Sequence, residues 1–191
     1  MGRAPGPSCS RASVTVEVAL GISGRIGSGK TSLAVALAER LNCPRASFGD
    51  YVRSVAADRG LDASQRDVLQ EVGNDLIGAG WDAFCTAVLG TARYSGGSVV
   101  VDGIRHMDAA QTMRTLVAPT PWRLVAVESE SAARLSRLAA RGVGDASATK
   151  ADSHRNEGEV ESVMSSADLV ISGDSTVADI ADVVMEWLTT L

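Results

Sequence analysis

The sequence predicts an α/β fold: a five-stranded parallel sheet with helices on both faces. Strand-like and helix-like segments alternate from residue 14 to residue 191. The strand-like segments, such as SVVVDG (98–103) and WRLVAVE (122–128), are short and almost continuously apolar. Strands of this kind are buried on both faces, which is typical of a parallel sheet covered by helices.

The predicted elements follow one another in a regular order. The five predicted strands are residues 16–23, 45–48, 98–103, 122–128 and 167–172. The helices predicted between and after them are residues 31–41, 107–117, 131–141, 156–166 and 175–191.

Three further segments complete the predicted organisation. Residues 50–94 are helical in pattern, with breaks near Gly60, Gly78 and Gly80, and contain no predicted strand. We therefore expect them to stand off the sheet as a helical insert. Residues 142–154 are rich in glycine, alanine and serine and are predicted to form a short lid. Residues 1–13 are predicted to be a disordered leader, and residues 14–191 a single domain.

Composition restricts the class of partner. The net charge of −5 argues against a protein that coats nucleic-acid polymers, because such proteins present a basic face. The apolar runs are too short to span a membrane. Cys9, Cys43 and Cys85 are scattered without metal-ligand spacing and are interpreted as reduced thiols. We expect a cytoplasmic monomer or homodimer that acts on a small molecule.

The stretch GRIGSGKT (24–31) carries the strongest chemical signal. It matches the phosphate-loop pattern G-x-x-x-x-G-K-[ST], with a predicted strand before it and a predicted helix after it. Its glycines let backbone N–H groups converge on an anion at the start of a helix. Lys30 is expected to reach the outer phosphates of ATP, and the Thr31 hydroxyl to ligate Mg²⁺. The alternative is a strand-to-helix turn that merely needs glycine.

Two other stretches place charged residues where adjacent strands end. SFGDYVR (47–53) contains Asp50 and Arg53, and VVVDGIR (99–105) contains Asp102 and Arg105. Strand ends of a parallel sheet converge on the ligand crevice, so the two guanidinium groups are expected to hold a second phosphate. The sequence has no Asn-Lys-x-Asp for guanine and no carboxylate directly after VVVD. These absences weigh against GTPases and motor ATPases.

With these motifs in this order, the chain resembles the nucleoside monophosphate kinases, of which adenylate and cytidylate kinases are the type cases. Its phosphate loop is also similar to that of dephospho-coenzyme A kinase. The resemblance covers about residues 16–191. Gly49, Asp50 and Arg53 match the family's Gly-Asp-x-x-Arg, whose arginine binds the acceptor phosphate. Asp102 and Arg105 match its Asp-Gly-x-x-Arg one residue short, and the usual proline is missing.

The resemblance also implies roles for residues near the lid. Arg137 and Arg141 match the Arg-Leu-x-x-Arg whose arginines contact donor phosphates, and Arg155 falls where an arginine closes over the transferring group. The segment that begins at Gly173 resembles the one that holds the donor adenine.

The resulting catalytic set is Lys30, Arg105, Arg137, Arg141 and Arg155. The predicted ATP-binding set is Gly24, Ile26, Gly27, Ser28, Gly29, Lys30, Thr31, Ser32, Arg137 and Gly173. The predicted acceptor-binding residues are Asp50, Arg53, Asp102 and Arg105, and the predicted metal ligands are Thr31 and Asp102.

These residues predict an ATP- and Mg²⁺-dependent kinase for a small acceptor, most simply a nucleoside monophosphate. Two alternatives stay open: a kinase that phosphorylates a metabolite hydroxyl, with Asp50 or Asp102 as base, and a nucleotide-sensing module with weak ATPase activity.

Individual residues also have structural interpretations. Arg53 could solvate a helix, Asp102 could cap one, and Trp81 could belong to the core or line the acceptor pocket. His106 is expected on the surface.

Overall fold

The computed structural model describes residues 16–140 and 156–191 of the chain. The predicted leader, the predicted lid, Arg141 and Arg155 lie outside the described residues. The described strands are β1 (Ala19–Gly24), β2 (Arg45–Ser47), β3 (Val99–Ile104), β4 (Trp122–Glu128) and β5 (Leu169–Ser172). They form one sheet in the order β2-β3-β1-β4-β5, and every neighbouring pair is parallel. The predicted five-stranded parallel sheet is therefore confirmed.

Eight helices connect and cover the strands in the described parts of the chain. They are α1 (Lys30–Leu41), α2 (Phe48–Asp58), α3 (Arg66–Gly78), α4 (Trp81–Thr91), α5 (Met107–Leu116), α6 (Ser131–Ala140), α7 (Asn156–Ser165) and α8 (Val177–Leu188). In all of these described residues, no helix is long and apolar enough to cross a membrane.

Both faces of the sheet are buried, because alternate residues of each strand point to opposite sides. Val99 and Val101 of β3 pack in one core cluster with side chains of α4 and α5. Val100, between them, packs in the other cluster with side chains of α1 and α8. All three valines are fully buried. This arrangement confirms helices on both faces and explains the continuous apolar runs of the sequence.

The expectation that all of residues 50–94 stand off the sheet is wrong for α4. Phe84, Cys85 and Val88 of this helix are buried in the same cluster as Val99 and Val101. The apolar side chains of α4 supply the cover that this face of the sheet needs. The helical breaks at Gly60 and around Gly78–Gly80 are as predicted, since they separate α2 from α3 and α3 from α4.

The strand order brings three strand ends together. β1 lies beside β3, and Ile22 is in register with Asp102; β2 lies on the other side of β3, with Ser47 in register with Asp102. The chain leaves β1 into α1 and leaves β2 directly into α2. The carboxyl ends of β1, β2 and β3 therefore form one crevice.

Candidate functional site

The phosphate loop has the backbone conformation that its glycines permit. Gly24, Gly27 and Gly29 have φ values of 151°, 80° and 92°, which residues with a side chain rarely adopt. Space is also restricted, since a Cβ at Gly24 would lie 2.7 Å from the carbonyl oxygen of Val127. The backbone of the loop therefore requires glycine at all three positions, and the predicted strand-loop-helix unit is present.

The first turn of α1 is arranged to receive an anion. Its N-cap, Gly29, offers no side-chain hydrogen bond, and the first turn contains no acidic residue. By contrast, α2 is capped by Ser47, whose Oγ accepts a hydrogen bond from the backbone N–H of Asp50 at 3.2 Å. The uncapped N–H groups of α1 and the positive end of its dipole make a site for phosphate oxygens.

Two arginines of α6 hold the phosphate loop from behind. Arg134 is only 2% exposed, and its Nη1 donates to the carbonyl oxygen of Ile26 at 3.3 Å. Arg137 donates to the carbonyl oxygen of Gly27 at 3.3 Å and to that of Gly173 at 2.7 Å. A trans peptide directs its C=O and N–H oppositely, so the N–H group of Gly27 points away from Arg134. Arg137 thus links the phosphate loop to the loop after β5.

Gly173 fits tightly into this linkage. A Cβ at Gly173 would lie 2.5 Å from the carbonyl oxygen of Ser28 and 2.2 Å from Ser129 Oγ. The predicted nucleotide residues Gly173 and Arg137 therefore contact the phosphate loop directly. Whether the Arg137 guanidinium also contacts donor phosphates stays a prediction, because in this structure it is engaged with backbone carbonyls and lies 3.7 Å from Asp174.

One cleft of about 370 Å³ collects four of the six predicted acceptor and catalytic residues that the structure describes; Asp50 and Arg137 do not line it. Lys30 and Thr31 line it from α1, Arg53 from α2, and Asp102 and Arg105 from β3 and the residue that follows it. Lys30 Nζ donates to the carbonyl oxygen of Arg25 at 3.2 Å. A cleft with several cations and a single carboxylate in its described lining favours an anionic ligand, although the chain as a whole is acidic.

Asp102 is directed by an irregularity in β3. The register of β1 with β3 shifts after Ile22 and Asp102, so that Ser23 pairs with Ile104, and Gly103 is left over with φ of 91°. Such a bulge re-aims a side chain beside a site. Asp102 is 3% exposed; its Oδ2 accepts from Arg45 Nη1 at 3.1 Å, and its Oδ1 is buried without a hydrogen-bond partner among the described residues. Asp102 does not cap α5, whose N-cap is His106.

Arg45 extends this pair into a charged chain. Its Nη2 donates to Asp50 at 2.6 Å, and Asp50 also accepts from Arg53 Nη2 at 2.6 Å. Burial acts to raise the pKa of Asp50, but the hydrogen bonds and charges of Arg53 and Arg45 outweigh it and lower the pKa. Arg53 lines the cleft, and its guanidinium is also hydrogen-bonded to Asp50. The predicted role in acceptor binding is therefore compatible with a structural ion pair within α2.

Several residues of the cleft were missed by the sequence analysis. His106, expected on the surface, has a side chain only 18% exposed; it contacts Trp81, with ring centroids 5.0 Å apart, and pairs with Glu159. That expectation is wrong because His106 lies two residues after the end of β3 and is contacted by Trp81 of α4 and Glu159 of α7. Arg66, which lines the cleft, was also missed, and so was Arg45, which is outside the lining but pairs with Asp102. Arg45 belongs to β2, the strand beside VVVD. Its position indicates a contact with Asp102 only when the register between β2 and β3 is known.

The residues that line the cleft are suited to Mg²⁺ and a nucleoside triphosphate. Asp102 Oδ1 is a buried carboxylate oxygen without a partner in the described chain, and such an oxygen is suited to a hard cation or its water. Thr31 lies in the first turn of α1 and lines the same cleft. The uncapped N–H groups beside it are suited to phosphate oxygens.

A parallel sheet whose first strand leads through this loop into α1 defines the P-loop kinase fold. Solved structures agree: TT1252 from Thermus thermophilus superposes with a TM-score of 0.61 at 17% identity, covering 91% of this chain and 97% of that one. Shikimate kinase from Aquifex aeolicus gives 0.57 at 15% identity, covering 91% and 97%. A gluconokinase from Sinorhizobium meliloti gives 0.57 at 14%, covering 92% and 93%.

The chain belongs to the AAA domain family, whose model matches residues 20–161. Among its relatives, UPF0200 protein MJ1399 of Methanocaldococcus jannaschii is 32% identical over 136 residues, which is 68% of this chain. The match spans 65% of that relative's own length. A UPF0200 protein of Thermococcus onnurineus is 29% identical over 131 residues, covering 65% of this chain and 68% of that protein.

Proposed function

We propose that this protein is an ATP- and Mg²⁺-dependent kinase that transfers the γ-phosphoryl group to the phosphate of a small, nucleotide-like acceptor. One observation carries the proposal: the same cleft is lined by Lys30 of the phosphate loop and, from other elements, by Arg53 and Arg105. Two cationic groups that meet in one cleft suit two phosphates brought face to face. The P-loop kinase fold and the family of the chain support phosphoryl transfer in general.

The phosphoryl transfer needs no covalent enzyme intermediate. An oxygen of the acceptor phosphate forms a bond to the γ-phosphorus, and the bond from that phosphorus to the bridging oxygen breaks, releasing ADP. Thr31 and Asp102 would hold a Mg²⁺ ion, which would supply charge neutralisation for the donor phosphates. Lys30 and the N–H groups of α1 stabilise the negative charge on the transferring group, and Arg53 and Arg105 orient the acceptor phosphate. Arg141 and Arg155, which flank the predicted lid, are proposed to complete the site.

A hydroxyl acceptor is the second candidate, because Asp102 Oδ1 is a buried carboxylate oxygen in the cleft with no described hydrogen-bond partner. In that case the hydroxyl proton would pass to Asp102 as the new bond forms. Shikimate kinase and a gluconokinase, both of which have this fold, bear names that fit such acceptors. The cationic lining contributed by Arg53 and Arg105 favours the phosphate acceptor over the neutral hydroxyl.

The test is an ATP-consumption screen with identification of the product by mass spectrometry. The panel contains nucleoside and deoxynucleoside monophosphates, dephospho-coenzyme A, shikimate and gluconate. Formation of one diphosphate product per ATP consumed supports the proposal. Phosphorylation of only hydroxyl compounds would replace it by the second candidate. ATP hydrolysis with no phosphorylated acceptor would identify a nucleotide-sensing module. We further propose a cytoplasmic monomer or homodimer without nucleic-acid or membrane partners.

A further inference from the structure

Helix α3 turns one continuous face towards the cleft. The α3 residues that line the cleft are spaced three and four positions apart, as one face of a helix requires: Arg66, Leu69, Gln70, Gly73, Asn74 and Ile77. Beyond the end of this face lies Trp81, the first residue of α4, which lines the same cleft. We call Arg66, Gln70, Asn74 and Trp81 the α3 recognition face.

The polar groups of this face are cationic or neutral. Gln70 and Asn74 each offer an amide that both donates and accepts hydrogen bonds. The acidic residues of α3 are at other positions: Asp67, Glu71 and Asp75 do not line the cleft, and Asp75 pairs with Arg59 at 2.7 Å. Among the described residues that line the cleft, Asp102 is the only carboxylate.

Arg66 adds a donor that the described protein does not use. Its Nε is buried and has no hydrogen-bond partner among residues 16–140 and 156–191. A buried donor without a partner is unfavourable by about 1–3 kcal/mol, so native proteins seldom leave one without a ligand or water. An acceptor atom of a bound molecule would remove that deficit.

The aromatic part of the face is held firmly in place. The ring of Trp81 lies nearly parallel to that of Phe84, with centroids 6.0 Å apart and an interplanar angle of 10°. Its contact with His106 adds a second support. A fixed indole ring beside a cleft offers a flat apolar surface, and it loses little conformational entropy when a planar ligand ring packs on it.

We propose that the α3 recognition face binds a planar heteroaromatic ring of the acceptor, such as a nucleobase, whose edge both donates and accepts hydrogen bonds. This inference rests on the proposed function, because Arg53 and Arg105 are assigned to the acceptor's phosphate. Gln70 and Asn74 form hydrogen bonds with the edge of the ring. Arg66 Nε donates a hydrogen bond to an acceptor atom of the ring, and Trp81 packs on the face of the ring. A polyol fits less well, because its many O–H donors would need acceptors and the described lining offers one carboxylate.

The test compares ligands that differ only in the ring. Binding of AMP, GMP, CMP, UMP and ribose 5-phosphate to the full chain, saturated with a non-hydrolysable ATP analogue, is measured by calorimetry. At least one nucleotide is expected to bind 10-fold or more tightly than ribose 5-phosphate, a difference of about 1.4 kcal/mol. Equal affinities for ribose 5-phosphate and all four nucleotides would overturn the inference and leave the proposed phosphate acceptor intact. If none of the five ligands binds, the proposed function and this inference both fail.

Variants of α3 then identify the side chains that distinguish one ring from another. Gln70→Ala and Asn74→Ala are expected to change the order of preference among the four nucleotides while the affinity for ribose 5-phosphate stays the same. Gln111→Ala, an exposed glutamine of α5 outside the cleft, is the matched control and should change neither. An unchanged order of preference in both α3 variants would contradict the assignment.

Discussion

Arg45 Nη1 donates a hydrogen bond to Asp102 Oδ2 at 3.1 Å and thereby leaves Oδ1 as the oxygen that faces no described partner. The Asp102 side chain is 4% exposed and that of Arg45 is 25% exposed, so this ion pair is much less accessible than an ordinary surface pair. Removing one partner of a buried ion pair is strongly destabilising, because it leaves the other charged group buried without compensation. Arg45 is therefore a positioning residue for the carboxylate of the candidate metal site.

Replacing Arg45 by methionine is expected to lower the free energy of unfolding by about 2 kcal/mol, since it removes a charged hydrogen-bond partner of a buried carboxylate. Urea denaturation with an unchanged m-value measures the effect. Arg59→Met is the matched control: its pair with Asp75 is exposed on both sides, at 43% and 56%, so it should change stability by less than about 1 kcal/mol. Equal losses in the two variants would contradict the special role of Arg45.

Lys30→Ala is expected to lower the rate of phosphoryl transfer by about 100-fold or more, equivalent to about 2.7 kcal/mol of barrier. The physical reason is the loss of the ammonium that lines the cleft beside the uncapped helix end. Steady-state kinetics with the acceptor found in the screen measures it. Arg114→Ala, which removes an exposed cation from α5, should retain the wild-type rate. A Lys30→Ala protein that folds normally and turns over at the wild-type rate would refute the phosphate-loop interpretation.

Arg53→Lys keeps the positive charge but loses the planar fork that binds a phosphate through two N–H groups. The KM for the acceptor is expected to rise at least about 10-fold, with the KM for ATP little changed. Arg59→Lys, also an exposed arginine near α2 but outside the cleft, is the control for the loss of a guanidinium. A defect confined to ATP would remove Arg53 from the acceptor side.

Asp50 predicts a pH dependence of stability. Because Arg53 and Arg45 lower the folded-state pKa below the ordinary value of 3.8, the ionised carboxylate favours the folded state. The wild-type protein should therefore be more stable than Asp50→Asn above about pH 4, by less than about 1 kcal/mol because the pair is half exposed. The difference should disappear as the pH falls through the folded-state pKa. Unfolding curves of both proteins from pH 7 to pH 3 provide the measurement, and a difference that grows towards low pH would be inconsistent with this sign.

Gly173→Ala is expected to weaken ATP binding and to lower Tm. Its new methyl group would lie 2.5 Å from the carbonyl oxygen of Ser28 and would push the phosphate loop away from the segment after β5. Calorimetric titration with ATP and thermal unfolding measure the two effects. Gly90→Ala in α4 is the control: a Cβ there meets nothing within 4 Å, and alanine favours a helix, so that variant should be as stable as the wild type or more so.

The fold was largely predictable, because it depends on signals that are local in the sequence. The valines of β3 alternate between the two core clusters, so their continuous apolar run indicated a strand covered on both faces. The phosphate loop was predictable because its glycines are required by its own backbone. The position of α4 was not, since helical periodicity shows that a helix has an apolar face but does not show what covers it.

The contacts of the site depend on register, which the sequence does not express directly. Arg45 is one of sixteen arginines, and its link to Asp102 follows only once Ser47 is paired with Asp102 across β2 and β3. The position of His106 likewise depends on α4, because Trp81 comes from a distant part of the chain. The bulge at Gly103, which directs Asp102, likewise could not be deduced from the spacing between Asp102 and Arg105.

The uncapped start of α1 also has a consequence for the cell. The N-cap residue of α1, Gly29, offers no side chain to its first turn, and phosphate oxygens can accept hydrogen bonds from the N–H groups of that turn only in the folded state. By mass action, a nucleotide present at 100 times its dissociation constant raises the free energy of unfolding by about 2.7 kcal/mol. The lifetime of the molecule in a cell would then follow the local energy supply: chains in nucleotide-poor surroundings would unfold, and be degraded, first.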